Sequence, residues 1–236
     1  MRFGLTFDTD WVHQDAVEYV VSLLDKYNHR GTFFATNEYR VFKESSFKHE
    51  VGIHPSFNQL LSEGDSNYKS ILDHLFNMYP QARGIRSHSL TTSSIILDYS
   101  HKLGLLYDSN QYHPSGGEIF LDYSKLYRFT HNYVDLGHLI DGTKLSLESI
   151  NFSIEYLNIF DFHPIHIYLN TPDLKFYESV KKYTTHKDLK LYRNVTKRGI
   201  GDLFLDLLIF LNDNDIQSDL LINHLKMKLQ DDKFDR

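Results

Sequence analysis

The chain reads as an α/β protein built on a parallel sheet or an α/β barrel. Three observations carry that reading. Short apolar runs of strand character alternate with longer amphipathic runs along most of the chain. The strand-like runs end in polar residues that can bear chemistry, beginning with "LTFDTDWV". No linker rich in Pro, Gly or Ser and no internal repeat interrupts the alternation, so one domain over 1–236 is expected.

The elements follow in order. "RFGLTF" is a buried strand. "QDAVEYVVSLLDKYNHRG" places Val17, Val20, Val21 and Leu24 at helical spacing and is expected to close at Gly31. "TFFAT" and "HEVGIH" are the next strands, and "NYKSILDHLFNMYP" is a helix stopped by Pro80. "GIRSHS" is a short strand, "TSSIILDYSHKLG" a helix and "LLYDS" a strand. "EYLNIFDFHPIHIYLN" contains a late strand, and "LKFYESVKKYT" and "GIGDLFLDLLIFLND" are helices. In such folds chemistry gathers at the carboxyl ends of the strands, so motifs at several strand ends converge.

Composition narrows the function classes. The chain is 41% hydrophobic and 24% charged, which suits an ordinary globular protein. A net charge of −6 gives no general electrostatic case for nucleic acid or anionic membranes. With no cysteine there is no disulfide, thiol nucleophile or thiolate metal site, so a metal must use His, Asp, Glu or Asn. "MRFGLTFDTD" lacks the apolar region of a signal peptide, and the longest apolar run is broken by Asp202 and Asp206. A cytoplasmic protein with no membrane span is therefore expected. The 14 histidines come with frequent Tyr, Asn, Lys and Ile, so a His outside a motif carries little weight.

Asp8 and Asp10 stand two apart at a strand end, where both side chains are expected on one face. One can bind a metal while the other takes a proton from water. The alternative is that Asp10 caps the following turn. In "HEVGIHPSFN" the spacing of His49 and His54 does not fit two ligands on one helical face, which excludes the zinc-protease pattern. His54 and Asn58 do fit, with Pro55 at the first helical position, His54 at the N-cap and Asn58 one turn on. Both types can bind a divalent cation, and a plain surface role for Asn58 stands beside that. In "GIRSHSL", Arg86 can clamp a carboxylate and His88 faces the same way; a surface salt bridge is the other option for Arg86. Asp108 in "LLYDSN" can orient a histidine or simply begin a turn. In "FDFHPIHIYLN", His163 is the favoured general acid and His166 the reserve, pointing to the other face unless Pro164 bends the strand. A buried structural histidine is the alternative for either.

The order of these motifs, from Phe7 to His166, resembles the polysaccharide deacetylase (NodB-homology, carbohydrate esterase family 4) superfamily. "TFDTDW" differs from that family's T-F-D-D by the inserted Thr9. "HPSFN" places Asn58 where the family has a second histidine, and "RSHS" lacks the Pro and aromatic that follow the family's arginine. "GIHPSFN", "RSHSL" and "FHPIHIYLN" look closest to a divergent branch from bacterial surface-polysaccharide and O-antigen (lipopolysaccharide) biosynthesis clusters. The resemblance implies a distorted (β/α)7-type barrel and a metal-dependent deacetylase. It implies Asp8 as base, His163 as acid, Arg86 and Asp108 as their partners, and Asp10, His54 and Asn58 as metal ligands, with Thr9 a spacer. The implied cofactor is a divalent ion, zinc first, with Mn, Co or Ni as alternatives. His88, His166 and Trp11 are the candidate substrate contacts. The implied substrate is a carbohydrate, a sugar nucleotide or a lipid-linked glycan in a surface-polysaccharide precursor, acted on inside the cell.

Two other functions fit the same residues. The departures at Asn58 and after Arg86 suit a catalytically weak carbohydrate-binding pseudo-deacetylase, against which Asp8 argues, because a mere binder needs no base. A deformylase or another C–N hydrolase would keep fold and mechanism and change only the bond. Tyr123, Tyr127, Phe129 and Tyr133 in "EIFLDYSKLYRFTHNYVD" are split between a sugar-stacking wall and core, while His131 and His138 have no assignment.

Overall fold

The computed structural model describes residues 1–58 and 67–234. Among them, one sheet contains β1 (Arg2–Asp8), β2 (Gly31–Ala35), β3 (Glu50–Ile53), β4 (Gly84–Ile85), β5 (Tyr107–Tyr112), β6 (Phe120–Leu121), β7 (Tyr127–His131), β8 (Tyr133–Val134) and β9 (Leu157–Phe162). The strands lie in the order β6-β7-β5-β4-β3-β2-β1-β9-β8. Only β6 and β7 pair antiparallel. The described helices are α1 (Gln14–Lys26), α2 (Tyr68–Met78), α3 (Ser94–Lys102), α4 (Asp135–Ile140), α5 (Pro164–Leu169), α6 (Leu174–Val180), α7 (Ile200–Asp213) and α8 (Leu221–Phe234).

The sheet curls into a half-barrel, the expected distorted form of the fold. Just past β7, Asn132 ties the curl to β9: its N–H donates to Ile159 O at 3.0 Å, and its Oδ1 accepts from Ile159 N at 2.9 Å. Strand alternation then sorts the side chains. On β1, Phe3, Leu5 and Phe7 join the large outer core with Val17, Val20 and Leu24 of α1 and Phe204 of α7. The intervening residues face inward. A Cβ on Gly4 would meet Leu221 Cδ2 of α8 at 2.9 Å, Thr6 bonds Arg86, and Asp8 reaches the top.

The interior is therefore layered. At the bottom, Phe34, Tyr107, Phe129, Leu157 and Ile159 pack on Leu221 and Leu225 of α8. The start of α8 is fixed by Leu221 N donating to Thr32 Oγ1 and Ile222 N donating to Glu50 Oε2, each at 3.0 Å. Tyr107 OH donates to the other Glu50 oxygen at 2.8 Å. Burial raises the Glu50 carboxyl, against the lowering by these donors. Above that plug the strands' carboxyl ends turn polar, which is where the predicted motifs fall.

Three local differences from the sequence expectations have plain causes. Helix α1 ends before Asn28, which takes the left-handed turn at φ 57°, so Gly31 is free to open β2. A Cβ on Gly31 would lie 2.6 Å from Phe7 Cε2, so glycine is needed there for space. The segment carrying His163 and His166 is strand only to Phe162; Pro164 begins α5 with His163 as its N-cap. Helix α8 has no counterpart among the expected elements, because its sequence "LINHLKMKLQDDKF" carries no strong apolar stripe. No described helix is long and apolar enough to cross a membrane.

Buried His49 gives a pH test of this packing. Its Nδ1 accepts from Gly31 N at 3.3 Å, and burial lowers its pKa to about 4. The group folds neutral, so its contribution is complete above the unfolded pKa of 6.5 and is lost as pH falls through about 4. The loss amounts to at most about 3 kcal/mol. Urea unfolding at about pH 7 and about pH 4.5 should show a shallower loss of stability in His49→Phe than in the parent. Identical pH dependence would remove His49 from the acid-sensitive groups.

Candidate active site and metal centre

β1 ends at Asp8, and the chain then turns through two left-handed residues, Asp10 (φ 41°) and Trp11 (φ 57°). Asp10 reaches the same site as Asp8 by this turn, not by strand alternation. Thr9 braces it. Thr9 N donates to Phe34 O at 3.1 Å, and Thr9 Oγ1 accepts from Thr36 N at 3.0 Å. Thr36 Oγ1 accepts from Trp11 N at 2.9 Å.

Asp10 Oδ1 sits between two imidazoles, 3.1 Å from His54 Nε2 and 2.9 Å from His88 Nδ1. His54 continues directly from β3, with its N–H on Ala35 O at 2.9 Å, and His88 N donates to Pro55 O at 2.9 Å. The donor atoms of Asp10, His54 and His88 all lie within 4.8 Å of one another. Ligands about 2.0–2.2 Å from one ion stand roughly 3 Å apart, so this cluster fits a divalent cation. Two imidazoles and a carboxylate without thiolate suit zinc and also manganese, cobalt or nickel. Burial would raise the Asp10 carboxyl, but hydrogen bonds from His54 and His88 and the charge of His163 take it well below its ordinary value. Asn58, the expected third ligand, is exposed and its Nδ2 donates to Ser89 Oγ at 3.3 Å. His88, expected as a substrate contact, stands in the cluster instead.

Arg86 is fully buried beneath these residues. Its Nη1 donates to Asp8 Oδ1 at 3.1 Å, Asp161 Oδ1 at 2.7 Å and Thr6 Oγ1 at 2.9 Å. Its Nε and Nη2 donate to Ser109 O at 3.0 Å and Ser109 Oγ at 2.8 Å. Arg86 does hold Asp8, by one nitrogen that it shares with Asp161. Burial pushes the Asp161 carboxyl up to about 8; Arg86 pulls it down and the Asp8 charge adds to the rise.

His163 faces Asp10 across the site, its Nε2 3.5 Å from Asp10 Oδ2. Its partner is Asp135, whose two oxygens take His163 N at 2.7 Å and His163 Nδ1 at 2.6 Å. Burial lowers the His163 imidazole, but the charge and hydrogen bond of Asp135 outweigh it and hold the group well above its usual pKa. Asp108, expected in that role, instead pairs with Arg128 and Asn110. Asp135 stands at the start of α4 after the two-residue strand β8, a run too short to show as a strand in the sequence. Its neighbours Tyr133 and Val134 pair with Phe160 and Asp161 of β9, which brings it beside His163. His166 lies on α5, buried, with Nδ1 3.2 Å from Thr171 Oγ1 and its ring against Tyr177. Burial lowers its pKa to about 4. Although Asp135, His163 and His166 also cluster, the 2.6 Å contact is a hydrogen-bond distance, shorter than two ligands of one ion adopt.

Asp8, Asp10, His54, His88, Asp161 and His163 open onto one cavity of about 250 Å³. His131, unassigned in the sequence, lines it as well; burial and then the Arg86 charge take its imidazole well below the ordinary value. Trp11 is part-exposed with its ring edge-on to His88, centroids 5.2 Å apart. The arrangement presents a carboxylate held by a guanidinium, a triad able to hold a cation and an imidazole paired with a carboxylate, the parts needed to activate water and protonate a leaving group.

A family model described as WbmS-like polysaccharide deacetylase matches residues 5–181. Among solved structures, the chain is similar to WbmS of Bordetella bronchiseptica, described as a polysaccharide deacetylase involved in O-antigen biosynthesis. Identity is 27% and the TM-score 0.77, over 88% of this chain and 90% of that one. A family 4 acetyl xylan esterase from Clostridium thermocellum, solved with a cobalt ion, matches at 15% identity and a TM-score of 0.43, over 97% of this chain and 92% of its own. No curated protein matches.

The geometry sets a metal test. Asp10→Ala and His88→Ala should each weaken zinc binding by more than about 100-fold, while Asn58→Ala should change it by less than about 10-fold. Calorimetric titration of zinc into metal-stripped protein measures both. Unchanged affinity in His88→Ala would exclude it as a ligand.

Proposed function

The chain belongs to the WbmS-like polysaccharide deacetylase family, and from that premise we propose that it removes an N-acyl group, N-acetyl first, from an amino sugar of a surface-polysaccharide precursor. The observation that carries the proposal is the opposition of two buried pairs, Asp8 with Arg86 and His163 with Asp135, on either side of Asp10. A divalent cation held by Asp10, His54 and His88, zinc being the first candidate, would supply Lewis-acid polarisation of the acyl carbonyl and acidify water.

The chain's own residues account for the proton movements. Arg86 fixes the Asp8 carboxylate at the edge of the cavity, where it takes a proton as water attacks the acyl carbon. As the C–N bond breaks, the departing nitrogen needs a proton, because an amide anion is a poor leaving group. His163 Nε2 donates it. Asp135 holds the Nδ1 side of that ring and stabilises its charged form until transfer. Asp161 and Asp8 share Arg86 Nη1, at 2.7 and 3.1 Å.

His163→Ala and Asp8→Asn should each lower the rate by about 10²–10⁴-fold while zinc content stays that of the parent. The measurement is acetate release from a panel of N-acetylated amino sugars, run beside metal analysis. Sugar binding and bound zinc without acetate release from the parent protein would favour a binding protein instead. Wild-type rates in either variant would reject its assigned role.

A further inference from the structure

The net charge of −6 is unevenly spread along the chain. From Asp173 to Arg198 stand eight lysines and arginines against three acids, so this stretch is basic within an acidic protein. Most of it lies beyond residue 181, where the family match ends. We propose that this segment is a docking surface for a lipid bilayer carrying anionic head groups.

The segment is folded into a fixed lobe. Its short helical turns, Lys181–Tyr183 and Leu189–Tyr192, are joined by Tyr183 and Tyr192, whose rings stack at 4.3 Å and 8°. Leu189 joins the outer core, and Asn194 N donates to Leu169 O of α5 at 2.9 Å. Arg193 turns inward, over the Tyr19 ring and onto Tyr168 O. Part of the positive charge is neutralised locally: Lys181 pairs with Glu178, Lys197 with Asp173 and Arg198 with Asp206. Lys182, Lys187 and Lys190 are exposed and form no ion pair among the described residues, although Asp188 stands between the last two. Apolar side chains face water on the same lobe. Leu191, next to Lys190, is 74% exposed, and Val195 is 84% exposed. Val195 tops a turn held by Thr196 N and Lys197 N, which donate to Asn194 Oδ1 at 3.2 and 3.1 Å. Cations beside exposed aliphatic groups suit a bilayer surface, where the cations meet phosphate and the aliphatic groups enter the acyl boundary. A nucleic acid would take the cations and leave Leu191 and Val195 in water. Tyr183, covered by Tyr192 and by Lys182 Nζ at 4.9 Å, offers no free face to a base.

The lobe stands on the rim of the candidate centre. Thr184 O accepts from His13 N at 2.9 Å, two residues past Trp11, and the Tyr177 ring meets His166 at 4.5 Å. Docking therefore brings the cavity mouth beside the head groups, within reach of a glycan carried on a lipid. That consequence rests on the hydrolase reading above; the docking does not.

The test is co-sedimentation of the full chain with vesicles of phosphatidylcholine, alone or mixed with phosphatidylglycerol. Binding is expected to the mixed vesicles only, and it should fall as salt rises from roughly 0.05 to 0.5 M. Lys182→Glu, Lys187→Glu and Lys190→Glu combined should weaken it by about 100-fold or more. Leu191→Ser with Val195→Ser should weaken it about tenfold and keep the salt dependence. All five side chains lie at the surface, so both variants should melt at the temperature of the parent. Binding to both vesicle types alike, binding to neither, or parent-like binding in the lysine variant would overturn the proposal. Loss in the lysine variant with none in Leu191→Ser, Val195→Ser would overturn it in favour of a free anionic ligand. Binding of polyuridylate without binding of vesicles would overturn it in favour of RNA. Acetate release from a soluble N-acetylated amino sugar is read separately and should be the same in parent and variants. Vesicle binding without release rejects the hydrolase reading and leaves the docking surface standing. Release without vesicle binding does the reverse.

Discussion

The centre depends on one buried cation. Arg86 is fully buried at the mouth of the half-barrel, and its guanidinium lies over the Phe34 ring at 4.6 Å. Such a charge is tolerable inside a protein only when nearly every N–H finds an acceptor, and removing one partner of a buried ion pair costs roughly 3–5 kcal/mol. Here the acceptors come from three strands: Thr6 and Asp8 of β1, Ser109 of β5 and Asp161 of β9. Arg86 therefore staples strands that lie on both sides of β4 and gives Asp8 its position. The inward-facing residues of those strands change from apolar to polar at this level. Below Arg86 lies the hydrocarbon plug completed by α8; above it lies the chemistry.

That level is reached by backbone that is not relaxed. Among the left-handed non-glycine residues are two adjacent pairs, Asp10 with Trp11 and Ser89 with Leu90, and both border the candidate cation triad. Aspartate accepts this conformation more readily than tryptophan, serine or leucine, and each such residue costs on the order of 1–3 kcal/mol. The surroundings over-determine both turns. Thr9 and Thr36 lock the first, while Ser87 O and Asn58 hold the second through Leu90 N and Ser89 Oγ. The rings of Trp11 and His88 then touch, so the two turns support each other across the site. Asn58, expected as a ligand, also touches this turn through Ser89 Oγ.

Strand-end logic made much of the centre legible. Asp8, His54, Arg86 and His163 converge because parallel strands deliver their carboxyl ends to one rim, and spacing alone locates those ends. What spacing does not encode is the path of the chain after the strand stops. His88 enters the cluster because the backbone turns through Ser89 and Leu90, and nothing in "RSHSL" announces that turn. Between Asp108 and Gln111 the register of β5 against β7 shifts, so the consecutive residues Ser109 and Asn110 both reach the β4 segment, at Arg86 and at Ser87 N. Asp108 is left facing Arg128. Asp135 was hidden for another reason: β8 is two residues long, too short to show any periodicity.

Three buried histidines around the site show how one residue type is divided among tasks by surroundings alone. Burial acts on all three in the same direction, against the imidazolium. For His166 nothing nearby offsets it enough, and for His131 the Arg86 charge deepens it, so both rings stay neutral. His163 differs by a direct hydrogen bond to Asp135, with the charges of Asp10 and Asp161 added to it. Asp135 takes its Nδ1 proton and its backbone N–H together, which fixes the ring and favours its charge. Groups whose environments push their pKa values apart in this way are the ones to which acid and base roles can be assigned. The sequence holds several histidines near the same motif; the hydrogen bond that His163 makes to Asp135 sets it apart from them.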